Sequence, residues 1–255
     1  STANLTETFK PKGLLIEEAR TNLAYYSEDL SQSEWNKDNV TVSGTTTSPR
    51  GDNTSYKVIA NTVNASHRLN QIFASLAGGT YTCSVFAKSD GLRYLHLRVG
   101  AGSNDFGKCF DLQQGLISQG FRDGTTTIGS ATSSSIEKYP NGWYKLTVTG
   151  TLVTGQNSIL PYVANSATTT SFAGNGTNGI YLWGFQLEAG TFPTSYIPST
   201  GASAATRSAD VVSISGDNFG TYRTNIFTES ENLWDVNIGT DKVIPYAYPN
   251  PIDGK

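Results

Sequence analysis

The sequence has no methionine, and its 255 residues include only two cysteines and two histidines. Two cysteines without clustered histidines cannot complete a structural zinc site. Cys83 alternates with Tyr81 and Val85, which predicts a buried, reduced thiol rather than a disulfide with Cys109. His67 and His96 lie far apart in sequence, so no histidine-rich metal site is expected. Charge is also sparse: 15% of residues are charged and the net charge is −3. That argues against a nucleic-acid partner, which rewards a basic face. No apolar run is long enough to span a membrane, and no signal-peptide pattern opens the chain. An aromatic content of 11% argues against disorder. The missing methionine leads to the expectation of a fragment of a longer protein, with residues 1–12 as a polar linker from something upstream.

Signatures of catalysis are missing as well. No Gly-x-Ser-x-Gly elbow and no phosphate-cradling Gly loop followed by Lys-Ser/Thr can be found. The chain is therefore expected to be non-catalytic. A glycosidase needs only two carboxylates at a set separation, and Glu17, Glu18, Glu28, Asp29, Asp105 and Glu188 leave that class open. No amphipathic helical stretch of useful length occurs. The tripeptide Arg50-Gly51-Asp52 sits in a turn-forming stretch, where chance explains it better than adhesion.

What the chain does contain is period-two alternation. In GIYLWGFQLEAGTFPTSYIPST, Gly179 to Thr200, Tyr181, Trp183, Phe185 and Leu187 fall on every second residue. This predicts a strand covered on both faces, with Gly184 as a bulge or a close backbone approach. Pro193 and Pro198 hold the following segment extended and outside any central ladder. Further strands are expected at 40–42, 55–59, 68–74, 80–89, 92–99, 108–111, 117–121, 133–139, 143–152 and 159–163. Leu14 to Ile16 is read as an opening strand, and Ser31 to Glu34 as one short helical turn before Trp35. Asp90-Gly91 predicts a two-residue hairpin between the strands on either side of it. Many short strands with Gly-rich turns imply an all-β fold: an antiparallel two-sheet, jelly-roll-like β-sandwich over residues 13–215.

The last forty residues carry an internal echo. Arg223-Thr224-Asn225 repeats Arg20-Thr21-Asn22, and Ser230-Glu231 repeats Ser27-Glu28 at the same offset, as Asp241 and Val243 repeat Asp38 and Val40. Fixed-offset similarity marks a repeat, so residues 216–255 are read as a linker and the opening segment of a second, incomplete copy.

The strand LRYLHLRVG supplies the candidate ligand face. Leu95, Leu97 and Val99 fall on one side, and Tyr94, His96 and Arg98 on the other. An aromatic ring covers the C–H face of a sugar, while Arg and His donate to hydroxyls or a uronate carboxylate. If the hairpin holds, Phe86 and Lys88 share that face. Trp35 and His67 lie in or beside loops and could line its rim. The alternative for the strand face is a solvated outer sheet surface, and for the loop residues ordinary packing. Trp143 and Trp183 are assigned to structure. No calcium-loop motif is readable, and structural calcium is the one cofactor suggested, because jelly-roll sugar-binding modules often carry it.

Several stretches also resemble a known family. YLWGFQLEAGTFPTSYIPSTGASAATRSAD, Tyr181 to Asp210, resembles the end of a module repeated in bacteriophage tail-fibre and head-spike proteins. GLLIEEARTNLAYYSEDLSQSEW, Gly13 to Trp35, matches its beginning. GTYTCSVFAKS, Gly79 to Ser89, and GWYKLTVTG, Gly142 to Gly150, match its middle. The resemblance covers most of Gly13 to Ser215 in the family's order. It implies a β-sandwich of the carbohydrate-binding kind on the virion, with host-surface polysaccharide and other fibre, capsid or tail proteins as partners. A homo-oligomer is compatible with that setting, whereas nucleic-acid binding and membrane insertion are not expected. The functions so implied are glycan binding, a purely structural spacer or attachment role, or a capsular-polysaccharide depolymerase.

Overall fold

The computed structural model describes residues 16–101, 104–120, 122–123, 126–127 and 131–211. The polar stretch 1–12, the opening strand's Leu14 and Leu15, and the repeated motifs beyond residue 215 lie outside the described residues.

Alternating sequence becomes short strands: β1 (Arg20–Asn22), β2 (Asn36–Asp38), β3 (Val40–Thr46), β4 (Ser55–Ala60), β5 (Asn64–Ser66), β6 (Arg68–Leu76), β7 (Gly79–Asp90), β8 (Tyr94–Ala101) and β9 (Asn104–Asp111). They continue as β10 (Leu116–Gly120), β11 (Arg122–Asp123), β12 (Thr126–Thr127), β13 (Ser133–Lys138), β14 (Tyr144–Leu152), β15 (Gly155–Ala164), β16 (Ser171–Ala173), β17 (Gly179–Ala189) and β18 (Ala205–Arg207). Twelve of them form two six-stranded sheets. Sheet I runs β10-β9-β8-β15-β6-β2 and sheet II runs β13-β14-β7-β17-β4-β3. The ladders in both are antiparallel. The only helical element among the described residues is the 3₁₀ turn Pro140–Gly142. The fold is an all-β sandwich, and the chain passes repeatedly from one sheet to the other in a jelly-roll-like path.

Between the sheets, Leu95, Leu97 and Val99 of β8 join a core with Cys83 and Val85 of β7, Leu146 and Val148 of β14, and Leu182, Phe185 and Leu187 of β17. All of these are fully buried, and each large aliphatic or aromatic side chain contributes roughly 1.5–3 kcal/mol. Tyr144, which has the parity of Leu146 and Val148, is only partly buried, because it opens β14 and its ring lies against the Gly115 turn. Cys83 and Cys109 are both free and buried. Burial pushes both thiols up, Cys109 to about 12.

Two local expectations are corrected. β7 and β8 do not form a hairpin, because both edges of β7 are already taken by β14 and β17. The Asp90-Gly91 turn instead carries the chain from sheet II to sheet I. Gly91 has φ +90, and the Leu92 amide donates to the Gly179 carbonyl at 3.2 Å. Residues 31–34 form turns rather than helix. The Asp29 carboxylate accepts from the amide and hydroxyl of Ser31 and from Gln32 Nε2, so the segment stays in side-chain-stabilised turns.

Gly184 does form a bulge. At φ +67 it breaks the β7–β17 register between Trp183 and Gln186. The extra residue reverses the parity of β17. Phe185 and Leu187 face the core, whereas Trp183 and Tyr181 join a separate cluster on the outer side of sheet II.

The two ends of the module are clasped together. β1 pairs with β18 (Arg20↔Arg207, Thr21↔Thr206, Asn22↔Ala205), and the Asp210 amide donates to the Glu17 carbonyl at 2.9 Å. The fully buried Asn22 donates to the carbonyls of Phe185 and Ile197 and accepts from the amides of Ala24 and Leu187. Glu188, also fully buried, accepts from the amide and hydroxyl of Thr194 and from Gln186 Nε2. These two side chains fasten the proline-bounded segment after β17 to the sandwich.

Candidate functional site

The seven residues singled out from sequence fall into three places. Tyr94, His96 and Arg98 lie on the outer side of sheet I, but they do not form the open face expected. His96 is fully buried, with Nε2 2.9 Å from the Ser166 carbonyl and 3.4 Å from Cys109 Sγ. Arg98 is engaged by the buried Asp105 through Nε at 2.7 Å and through Nη2. Tyr94 is partly exposed under the guanidinium of Arg93, which lies 5.1 Å from its ring centroid. Trp35 and His67 do not line a rim, since both are fully buried. Trp35 packs on Phe185 at 4.6 Å and donates to the Tyr26 carbonyl. His67 sits between the carbonyls of Asn39 and Phe172 at 2.7 and 2.8 Å. Trp35 is among the largest fully buried side chains, and covering its ring removes a large apolar surface from water.

Phe86 and Lys88 belong to the other sheet, and there they have company. Phe86 lies opposite Trp183 of β17 and Lys145 of β14. Its ring meets Trp183 at 5.4 Å and Tyr139 at 5.0 Å, both edge to face, and Trp183 in turn meets Tyr196 at 4.7 Å. Trp143 completes the cluster and donates to the Thr47 carbonyl, while Trp183 donates to Thr54 Oγ1 at 2.8 Å. Phe86, Trp143 and Trp183 are buried, and Tyr139, Tyr181 and Tyr196 are partly exposed around them. The result is an aromatic floor with a tyrosine rim.

Cations are set among these rings. Lys145 Nζ lies 6.0 Å from the Phe86 centroid, Lys57 Nζ 5.9 Å from Tyr181, and Arg50 5.2 Å from Trp183. Arg50 is committed to Glu28 and Asp52, which explains the tripeptide it belongs to as part of a braced turn. Lys57 pairs with Asp90 at 2.5 Å. Lys88 stands directly across from Tyr181 in the ladder. Among the described residues no carboxylate pairs with Lys88 or Lys145. Burial, reinforced by Glu137, pushes the Tyr139 phenol up, and burial does the same to Tyr196, whose hydroxyl is held 2.6 Å from Ser27 Oγ. Strands about 4.8 Å apart place Tyr181 and the lysines within the span of one or two hexose units.

Sequence reasoning put Phe86 and Lys88 on the face of Tyr94, His96 and Arg98, whereas β7 and β8 belong to different sheets; it gave Trp143 and Trp183 to structure and passed over Tyr139 and Tyr181. The parity of Tyr181, Trp183, Phe86 and Lys88 is readable, but their meeting depends on the β14-β7-β17 register.

The carboxylates available for glycosidase chemistry are held in structural bonds. Burial pushes the Glu17 carboxyl up, but hydrogen bonds from Ser195 and the Arg207 guanidinium outweigh it and leave the group below the usual range. Asp29 is lowered in the same balance by Ser31 and Gln32. A general acid needs the opposite shift. Among the described residues no three His, Cys, Asp or Glu side chains gather as a metal site.

No family model matches the chain, and no curated protein matches it. Solved structures with a similar arrangement include the enzymatically active domain of tailspike protein 4 from bacteriophage CBA120, at 16% identity and TM-score 0.38, covering 65% of this chain and 21% of that one. CBM35 from Cellvibrio japonicus matches at 15% identity and TM-score 0.33, over 69% of this chain and 100% of that one. TmCBM61 in complex with β-1,4-galactotriose matches at 16% identity and TM-score 0.31, over 65% and 97% of the two chains. The chain thus spans about a fifth of the tailspike domain. Likenesses of this strength carry no argument about what the chain binds.

Proposed function

We propose that this chain is a non-catalytic module of a phage fibre or spike that holds host-surface glycan on the outer face of sheet II. The observation that carries the reading is the cluster of Phe86, Trp143 and Trp183 bordered by Tyr139, Tyr181, Lys88 and Lys145. Tyrosine rings at the rim offer flat surface to sugar C–H groups, and their hydroxyls and the ammonium groups meet sugar oxygens. The phage setting is supported by the stretches from Gly13 to Asp210 that resemble fibre and spike modules. A shallow face of this kind supports single-site affinities of about millimolar to micromolar, roughly −4 to −8 kcal/mol.

A glycan array probed with the protein tests the reading, with Tyr139→Ala/Tyr181→Ala as the site variant and Tyr94→Ala as the control on sheet I. Loss of binding in the first and retention in the second are expected. One observation favours the spacer reading instead: the three central rings are themselves buried and serve as a second small core. No binding by the wild-type protein to any glycan would support that reading.

A further inference from the structure

We infer that the glycan taken by this face is an acidic one, with Lys88 and Lys145 reading carboxylates along the polymer. The inference rests on the glycan reading above and adds the chemical class of the ligand. Its basis is an imbalance of partners. The cations elsewhere around the aromatic cluster are neutralised within the protein, Arg50 by Glu28 and Asp52 and Lys57 by Asp90. Lys88 and Lys145 are not: no described carboxylate lies within ion-pair distance of either. Glu137 stands across from Lys145 in the β13–β14 ladder, yet the two form no ion pair. Both lysines are partly buried residues on a sheet face rather than at the tips of solvent-bathed loops.

A lysine whose stem lies along an aromatic sheet face, with no described carboxylate beside its ammonium, can meet a carboxylate supplied by a ligand. The pair also stands out against its background, because the chain as a whole carries a net charge of −3. Long-range attraction therefore does not draw acidic polymer to the whole surface, and recognition falls to these two groups. Lys145 is stacked over Phe86, and Lys88 is two residues along β7 from that ring and opposite Tyr181. Side chains two residues apart on a strand are about 6–7 Å apart. A hexuronate resting on the Tyr181 side would bring its carboxylate to Lys88, and the next sugar would meet Lys145. Lysine acts here as a point charge, so the site selects for an anionic sugar without demanding one stereochemistry.

The test uses the full chain with polygalacturonate, alginate and hyaluronate, each beside its carboxyl-reduced form, in affinity electrophoresis or calorimetry. The acidic polymer that binds should do so at least about tenfold more tightly than its reduced form. Raising salt from 50 to 500 mM should weaken it several-fold, as screening requires. Lys88→Ala/Lys145→Ala should bring the affinities for the acidic and reduced forms together, and Glu137→Gln should strengthen binding of the acidic polymer. Equal affinity for acidic and reduced forms, lost in Tyr139→Ala/Tyr181→Ala, would overturn the charge inference and leave glycan binding intact. Binding to neutral array glycans with none to any acidic polymer would overturn it too. No binding to any glycan would remove the reading on which it rests.

Discussion

A single amide, that of Asn22, joins the opening of the module to its closing segment. It uses both donor and both acceptor positions against backbone groups of Phe185, Ile197, Ala24 and Leu187. Asn22→Ala would orphan those buried groups, and a loss of about 2–4 kcal/mol is expected from urea unfolding. Leucine is no repair, because it replaces one partner and leaves the backbone unmet. Asp111 plays a comparable part at the β9–β10 turn, accepting from Arg93 and from the amides of Gln113 and Gln114. Burial pushes its carboxyl up, but these bonds win and hold it below the usual range. A depressed carboxyl contributes stability that is present above the unfolded-state value of about 4 and is lost as pH falls through the lower folded value. Asp111→Asn should therefore unfold at lower denaturant at pH 7 and show a smaller loss of stability between pH 4 and pH 2. Identical acid profiles for the two proteins would refute that role.

At the scale of elements, β17 shows what the sequence does and does not reveal. Alternation announced the strand, and Gly184 announced the bulge. The consequence of the bulge was hidden: it sends Trp183 outward and Phe185 inward, so a four-residue alternating series serves two different layers. Gly184 has φ +67, and a Cβ there would meet Tyr196 at 3.3 Å. Gly184→Ala should cost about 1–2 kcal/mol from the left-handed backbone alone, measured by urea unfolding. The strands expected from residue 40 to residue 188 are present, because period two is a local property. The hairpin at Asp90-Gly91 failed for a non-local reason, since only pairing elsewhere shows that both edges of β7 are occupied. For the same reason the candidate face on sheet II was not legible as a unit. Phe86 and Lys88 carry a readable parity, but their neighbours Lys145, Trp183 and Tyr181 come from strands that sequence could not order. His96 misled because its strand faces outward as expected, whereas the segment covering it at Ser166 lies seventy residues away. The short strands β1, β2, β5, β16 and β18 carry too few residues to show a period.

For the whole molecule, the two sheets predict a graded stability. β7 and β17 are internal strands of sheet II with both edges paired, and seven of the twelve residues of β7 and nine of the eleven of β17 are buried. Their amides should exchange only on global opening, while those of β2 at the edge of sheet I and of β18 should exchange by local opening. Hydrogen exchange resolved by residue checks this; uniform protection would contradict it. The proposed fibre setting adds a second expectation. If single sites bind weakly, presentation of several copies on one particle should raise apparent affinity by about 10²–10⁴ through effective concentration. Surface plasmon resonance comparing the monomeric chain with a trimerised fusion measures the gain directly.

The residues that recur at the fixed offset can also be placed by what the first copies do. Arg20 donates to the Ala189 carbonyl, Thr21 meets Thr206, Asn22 holds Phe185, Ile197 and Leu187, Ser27 meets Tyr196 and Ser199, and Glu28 receives Arg50. Each partner is distant in the chain. Residues 20–28 thus help to fasten the opening of the described unit to its closing segment. Because β1 and β18 run antiparallel and the pairing continues from Arg20↔Arg207 outward to Glu17 and Asp210, the chain arrives and departs side by side. Tension applied through the chain on both sides would load this ladder in the peeling direction, opening the Glu17–Asp210 pair first and Asn22 last, instead of shearing whole strands at once. A force-extension trace of the module should then show a low-force step that releases the clasp before the sandwich yields, a mechanical fuse whose setting Asn22 determines.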